Sequence, residues 1–150
     1  MGHNRCFDWF RQSRGDLLWA EDTLKSGRFA QACFASQQVA QKAIEALALK
    51  RGYAEIRSHS IREIARAMGV DAEVEVIAKR LDQYYISSRY PDALPAGAPF
   101  EYFTHEQAEE AVRLGSRMLE VASGAFEDEL DAERRMPSAS HGAREPRNEV

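Results

Sequence analysis

Apolar residues recur along this chain at the spacing of helix faces, and nowhere with the sustained alternation of a strand; no Asn-Gly or Asp-Gly hairpin turn occurs. Five helices are predicted. The first covers about Asp8 to Ser26, with Phe10, Leu17, Ala20 and Leu24 in one stripe and Gly27 as its stop. The second covers about Phe29 to Arg51 and is closed by Gly52. Phe29, Ala32, Cys33, Phe34, Val39, Ala40, Ala43, Ile44, Leu47 and Ala48 surround most of its circumference, the mark of a central helix. The third is short. Ser60-Ile61-Arg62-Glu63 is a capping box, Ile61, Ile64, Ala65 and Met68 form the apolar face, and Gly69 ends it. Asp71 caps a fourth helix with Val74, Ile77, Ala78, Leu81 and Tyr85 on one side, ending near Arg89. The loop from Pro91 to Phe103 holds three prolines and is expected to be irregular. Thr104-His105-Glu106-Gln107 is a second capping box, opening a fifth helix striped from Ala108 to Phe126. The fold class is therefore all-α: an up-and-down bundle of four long helices plus one short helix.

The chain has 150 residues, 44% of them hydrophobic, which fits one domain with a real core. No apolar run is long enough to span a bilayer, and charges at Asp8, Arg11, Arg14 and Asp16 break up the N-terminal region where a signal peptide would be apolar. A cytoplasmic protein with no membrane partner is expected. The two cysteines, Cys6 and Cys33, make neither a disulfide framework nor a zinc site, and Cys33 in its apolar helix reads as a core thiol. The net charge of −4 sits mostly at the C-terminal end: residues 127–150 carry seven acids and four arginines. With few large apolar groups, that segment is expected to be a disordered acidic tail beyond a domain of residues 1–126, although Glu127 to Glu133 also reads as a solvated helix extension.

Three ordered motifs resemble one family. Leu24-Lys25-Ser26-Gly27-Arg28-Phe29, followed by Phe34-Ala35-Ser36-Gln37-Gln38 and Lys42-Ala43, is similar to the signature of HEPN domains, the nucleotide-binding domains of higher eukaryotes and prokaryotes. His59-Ser60-Ile61 resembles the family's start of a short helix, and Ser88-Arg89-Tyr90-Pro91-Asp92 resembles its Arg-Tyr-Pro-Asp helix end. The resemblance covers about residues 7–126. It implies a helical bundle that pairs as a homodimer, often encoded with a minimal nucleotidyltransferase in a two-gene, toxin–antitoxin-like system. Some members are metal-independent RNases with an Arg-x(4–6)-His motif. Here Arg80 and Arg89 have no histidine at that spacing, and Arg135 to His141, which fits it, lies in the acidic tail beside Pro137 and Gly142.

The candidate contact residues for a nucleotide or RNA are Arg89, Tyr85, Tyr90 and Asp92, followed by Lys42 and His59. Arg89 suits bidentate phosphate contact and the tyrosines suit base stacking. Equally, Arg89 can lock the helix C-terminus, with Asp92 paired to it. Gln37 and Gln41 share one face of the second helix, Gln38 and Lys42 the next; they read as polar edges of a core helix, or as the lining of a groove or of a symmetric dimer seam. His59 and His105 each stand beside a helix N-terminus, a position at which a solvated histidine is ordinary. Trp9 and Trp19 read as core or interface anchors. No glycine-rich phosphate loop, catalytic carboxylate pair, metal-ligand spacing or nucleophile elbow is present, so no catalytic residue, metal or cofactor is assigned. The leading expectation is a nucleotide- or RNA-binding module. A metal-independent RNase toxin using His59 or His105, and a non-catalytic protein-interaction dimer, are the alternatives.

Overall fold

The computed structural model describes residues 5–53 and 58–136. The Arg135-to-His141 spacing therefore ends outside the described residues, as does the tail from 137 onward. Eight α-helical segments occur in these residues, with no strand among them. They are α1 (Cys6–Lys25), α2 (Phe29–Lys50), α3 (Ile61–Met68), α4 (Ala72–Asp82), α5 (Tyr84–Ser87), α6 (Pro99–Tyr102), α7 (His105–Ser123) and α8 (Glu127–Arg135).

The apolar pattern places α2 at the centre, and it is there. It packs along α1 and α7 and also touches α3, α4, α5 and α6. Its small residues Ala32, Ala35, Ala40, Ala43 and Ala46 are all fully buried, which lets its neighbours approach closely. The closest approach is at Gly115 of α7, where a Cβ would stand 3.0 Å from the Ser36 carbonyl oxygen. Chain directions follow from contacts at the ends. Phe29 meets His105 at one end, while Lys50 lies over the Phe126 ring at the other, so α2 and α7 run in parallel. Arg117 pairs with Glu73, and Arg80 with Glu110, so α4 runs against α7. The result is the expected up-and-down bundle. Phe7, Phe10 and Phe126 close its lower end, with ring centroids 4.9–5.9 Å apart.

Local signals explain the helix ends. Gly27, Gly52 and Gly69 follow α1, α2 and α3 with φ of 76°, 95° and 66°, a region that glycine enters without strain. Thr104 and Gln107 form both arms of the predicted capping box. The Ser60 box forms only one. Ser60 Oγ accepts from the Glu63 amide at 3.2 Å, but the Glu63 carboxylate accepts from Ser58 Oγ instead of reaching back. Ser58 Oγ in turn accepts from the Ser60 amide. The stronger cap comes from a distance: Asp82 accepts from Ser60 Oγ and from the amides of Ile61 and Arg62 at 2.8–3.0 Å.

Two expectations need correction. The single fourth helix is interrupted at Gln83, whose backbone (φ −59°, ψ −25°) stays helical, so α5 prolongs α4. The proline-rich loop is partly regular: Pro91–Ala93 forms a 3-10 turn and Pro99 opens α6. Proline at a first helical position lacks only an N–H that would go unbonded anyway, so it starts a turn as readily as it ends one. Regular structure also continues past residue 126. The helix α8 carries the acidic residues and is tied to the body by Arg14–Glu133, at 2.9 Å, and by Lys50–Glu129.

Candidate nucleotide-binding cleft

Arg89 stands at the end of α5. Its Nε donates to the Tyr85 carbonyl at 2.9 Å, which satisfies one of the orphan carbonyls at a helix C-terminus. The side chain then lies across three rings: the guanidinium carbon is 4.4 Å from the Phe34 centroid, 4.6 Å from Tyr85 and 5.0 Å from Tyr90. Each such contact at an exposed site contributes about 0.5–1 kcal/mol. Tyr90 is extended (φ −123°, ψ 128°), as expected for a residue before proline. That geometry lets Tyr90 and Tyr85 flank the same guanidinium. The Arg89–Asp92 pair, part of one of the two readings of this helix end, does not form. Asp92 sits exposed in the 3-10 turn, outside the cleft lining, and among the described residues Arg89 makes no ion pair.

His59 joins this cluster from the segment before α3. Its ring stacks on Tyr85 at 5.0 Å and 15°. Together Arg89, Tyr85, Phe34 and His59 line an open cleft of about 450 Å³, with Trp9 at one side and Gln38, Gln41, Lys42 and Glu45 of α2 along its floor. Trp19 extends the aromatic row, edge-on to Phe34 at 6.0 Å. His105 is elsewhere, edge-on to Phe29 and 3.6 Å from Glu109.

The floor is an ordered run of amides. Gln38 Nε2 donates to Gln37 Oε1 (2.8 Å), Gln37 Nε2 to Gln41 Oε1 (3.0 Å), and Gln41 Nε2 to Glu45 Oε1 (3.2 Å). Gln41 Nε2 also reaches His59 Nδ1 at 3.3 Å. An amide nitrogen can only donate, so the tautomer that suits this contact leaves Nδ1 free to accept. Burial raises the Glu45 carboxyl above the ordinary carboxylate range, against the opposing pull of Gln41, His59 and Lys42. Lys42 lines the cleft, but its ammonium is already paired with Asp16, which also accepts from Gln12 Nε2 at 2.9 Å. Cys33 lies buried with its thiol pushed up to about 12 by desolvation, as a core thiol should be.

Of the six candidate residues, the fold thus brings Arg89, Tyr85, Tyr90 and His59 together, adds Lys42 as a neutralised neighbour, and leaves Asp92 aside. Phe34 and Glu45 were not singled out from the sequence as site residues. Phe34 is part of the aromatic–Gln-Gln signature, and that membership was the available signal. Larger depressions exist, including one of about 1000 Å³ along α1, but Arg5, Arg14, Asp8 and Glu133 in its lining are engaged with one another. No group of three or more potential metal ligands occurs among the described residues, and no described helix is long and apolar enough to cross a membrane.

Fold and motifs define a HEPN-type bundle, and comparison with known proteins agrees. The HEPN domain family matches residues 7–125, and the chain belongs to that family. Among solved structures it is similar to TT1696 from Thermus thermophilus, with 38% identity and a TM-score of 0.77 over 82% of this chain and 99% of that one. It is likewise similar to ST0689, an archaeal HEPN homologue, with 37% identity and a TM-score of 0.72 over 81% and 98% of the two chains. Among curated proteins it is 25% identical to the "Putative toxin MJ1304" of Methanocaldococcus jannaschii, over 75% of this chain and 82% of that protein.

Proposed function

We propose that this chain is a cytoplasmic nucleotide- or RNA-binding module, the HEPN half of a two-gene, toxin–antitoxin-like system with a minimal nucleotidyltransferase. The observation that carries this reading is Arg89: a guanidinium held across Phe34, Tyr85 and Tyr90, bonded through Nε alone among the described residues, at the rim of an open cleft. Such a group offers its outer N–H edge to a phosphate while the rings offer stacking faces to a base. The toxin-like relative supports the two-gene setting. Exposed Trp9 and Trp19 on α1 support assembly as a homodimer.

Calorimetric titration with mononucleotides and a short single-stranded RNA tests the binding. Saturable binding that falls tenfold or more in Arg89→Ala is expected; losing one charge-assisted contact weakens binding by about 1.5–3 kcal/mol. Unchanged affinity in that variant, with helicity intact, removes Arg89 from the site. The reading frame beside this one should encode a small nucleotidyltransferase that co-purifies on co-expression; a neighbour of another kind, or no complex, would count against the two-gene reading.

A second reading has specific support. RNA cleavage without a metal needs a base and a cation held close together. No Arg-x(4–6)-His spacing lies wholly within the described residues, yet His59 and Arg89 both contact the Tyr85 ring. RNA incubated with the protein and with His59→Ala distinguishes a nuclease from a binding module: only histidine-dependent cleavage supports the nuclease.

A further inference from the structure

The amide run along the cleft floor has a direction, and the direction is forced. An ionised carboxylate only accepts, so Gln41 must turn its NH2 toward Glu45. Gln41 Oε1 must then face Gln37, which donates to it and in turn accepts from Gln38. Both N–H groups of Gln41 are consumed, one by Glu45 and one by His59. Gln37 is fully buried and Gln41 nearly so, which leaves this arrangement little freedom to invert. The donors of Gln41 are therefore used up beside Glu45, which, itself only 8% exposed, brings a carboxylate to the cleft lining. At the other side stands the cation Arg89, separated from Glu45 by the stacked Tyr85–His59 pair and the Gln41 amide. A ligand that satisfies both ends carries an anionic group for Arg89 and a hydrogen-bond-donating edge for Glu45.

We infer that the cleft selects guanine nucleotides, with Glu45 reading the base and Arg89 holding the phosphate. Guanine presents two adjacent donors, N1–H and the N2 amino group, which a carboxylate can accept in parallel. The matching edge of adenine alternates one donor with one acceptor, and the acceptor meets the carboxylate lone pairs. Uracil presents a single donor between two acceptors. The half-exposed ring of Trp9 supplies stacking for any base, so discrimination falls on Glu45. This rests on the cleft being the nucleotide site proposed for Arg89.

Calorimetry with GMP, IMP and AMP at one pH and salt concentration tests it. IMP keeps N1–H and lacks the N2 amino group, so the order GMP, then IMP, then AMP is expected. GMP should bind about tenfold or more tighter than AMP, the discrimination typical of a bidentate base contact. Glu45→Gln, which replaces one acceptor by a donor, should bring GMP down to the level of AMP and leave AMP little changed. AMP binding as tightly as GMP while still depending on Arg89 overturns the guanine assignment and leaves the nucleotide site standing. No heat with any of the three overturns both. If Glu45→Gln fails to fold, the GMP–IMP–AMP order in the unaltered protein still decides.

Discussion

Glu45 is the residue at which stability and recognition meet. Its folded-state pKa is raised, chiefly by burial, while in the unfolded chain it titrates as an ordinary carboxylate. The folded protein therefore holds that proton more tightly. The contribution is fully present below the unfolded value and is lost as pH rises through the folded one, after which it levels off. Glu45→Gln removes this dependence. The stability gained by the variant over the wild type should thus be largest at neutral pH and shrink toward acid, as read from urea unfolding at a series of pH values. A constant difference between the two proteins would show that Glu45 does not titrate with folding. None of this could be read from the sequence, where Glu45 is one acid among the apolar residues of the second helix. Its burial and its Gln41 contact exist only once α2 is enclosed. Gln37 was legible as an anomaly, a polar residue on an apolar helix, but its partners were not. Lys42 was a candidate contact residue in the sequence, and only the packing of α1 onto α2 supplies Asp16 to neutralise it.

At the scale of elements, interactions within one turn were legible and those between helices were not. The Thr104–Gln107 box joins neighbours in sequence and formed as expected. The cap on α3 comes instead from Asp82, 21 residues beyond Ile61, which no local motif announces. Asp82→Ala should lower stability by about 1–2 kcal/mol, since it leaves two helix N-terminal amides and a hydroxyl without their acceptor. Ser60→Ala should lower it less. Chemical denaturation of the two variants gives the order, and equal losses would deny Asp82 its larger share. The crossing of α2 and α7 makes a similar demand at Gly115. A Cβ there meets backbone of Ser36, which cannot swing away as a side chain end would. Gly115→Ala gains up to about 1 kcal/mol of helix propensity, but overpacking typically costs about 1–3 kcal/mol. A net loss is expected, larger for Gly115→Leu, and a stabilised Gly115→Leu would show that the helices separate freely.

Across the whole molecule, the family signature acquires physical roles. Phe34 carries the Arg89 guanidinium, Gln37 and Gln38 begin the amide run, Lys42 ties α2 to α1 through Asp16, and Ala43 is fully buried against the core. The Arg-Tyr-Pro-Asp stretch does two things at once, ending a helix and presenting a cation, so the two meanings weighed for it in the sequence are not exclusive. What the linear pattern withheld was the meeting of His59 with Tyr85, 26 residues later in the chain, brought about by the approach to α3. The aromatic surface of α1 belongs to the same scale. If it is the seat of a homodimer, sedimentation equilibrium should give twice the chain mass, and Trp19→Glu should shift it to the monomer with its helicity retained. A monomeric wild type at micromolar concentration would contradict this.

Whether the Arg89 cleft is where a nucleotide or RNA binds can be asked without any substitution, by a heteronuclear NMR titration with a short single-stranded RNA. Saturating shifts concentrated at Phe34, Gln38, Gln41, His59, Tyr85 and Arg89 are expected. Shifts centred instead on the α4–α7 groove around Val76 and Arg113, or no shifts at all, would refute the assignment.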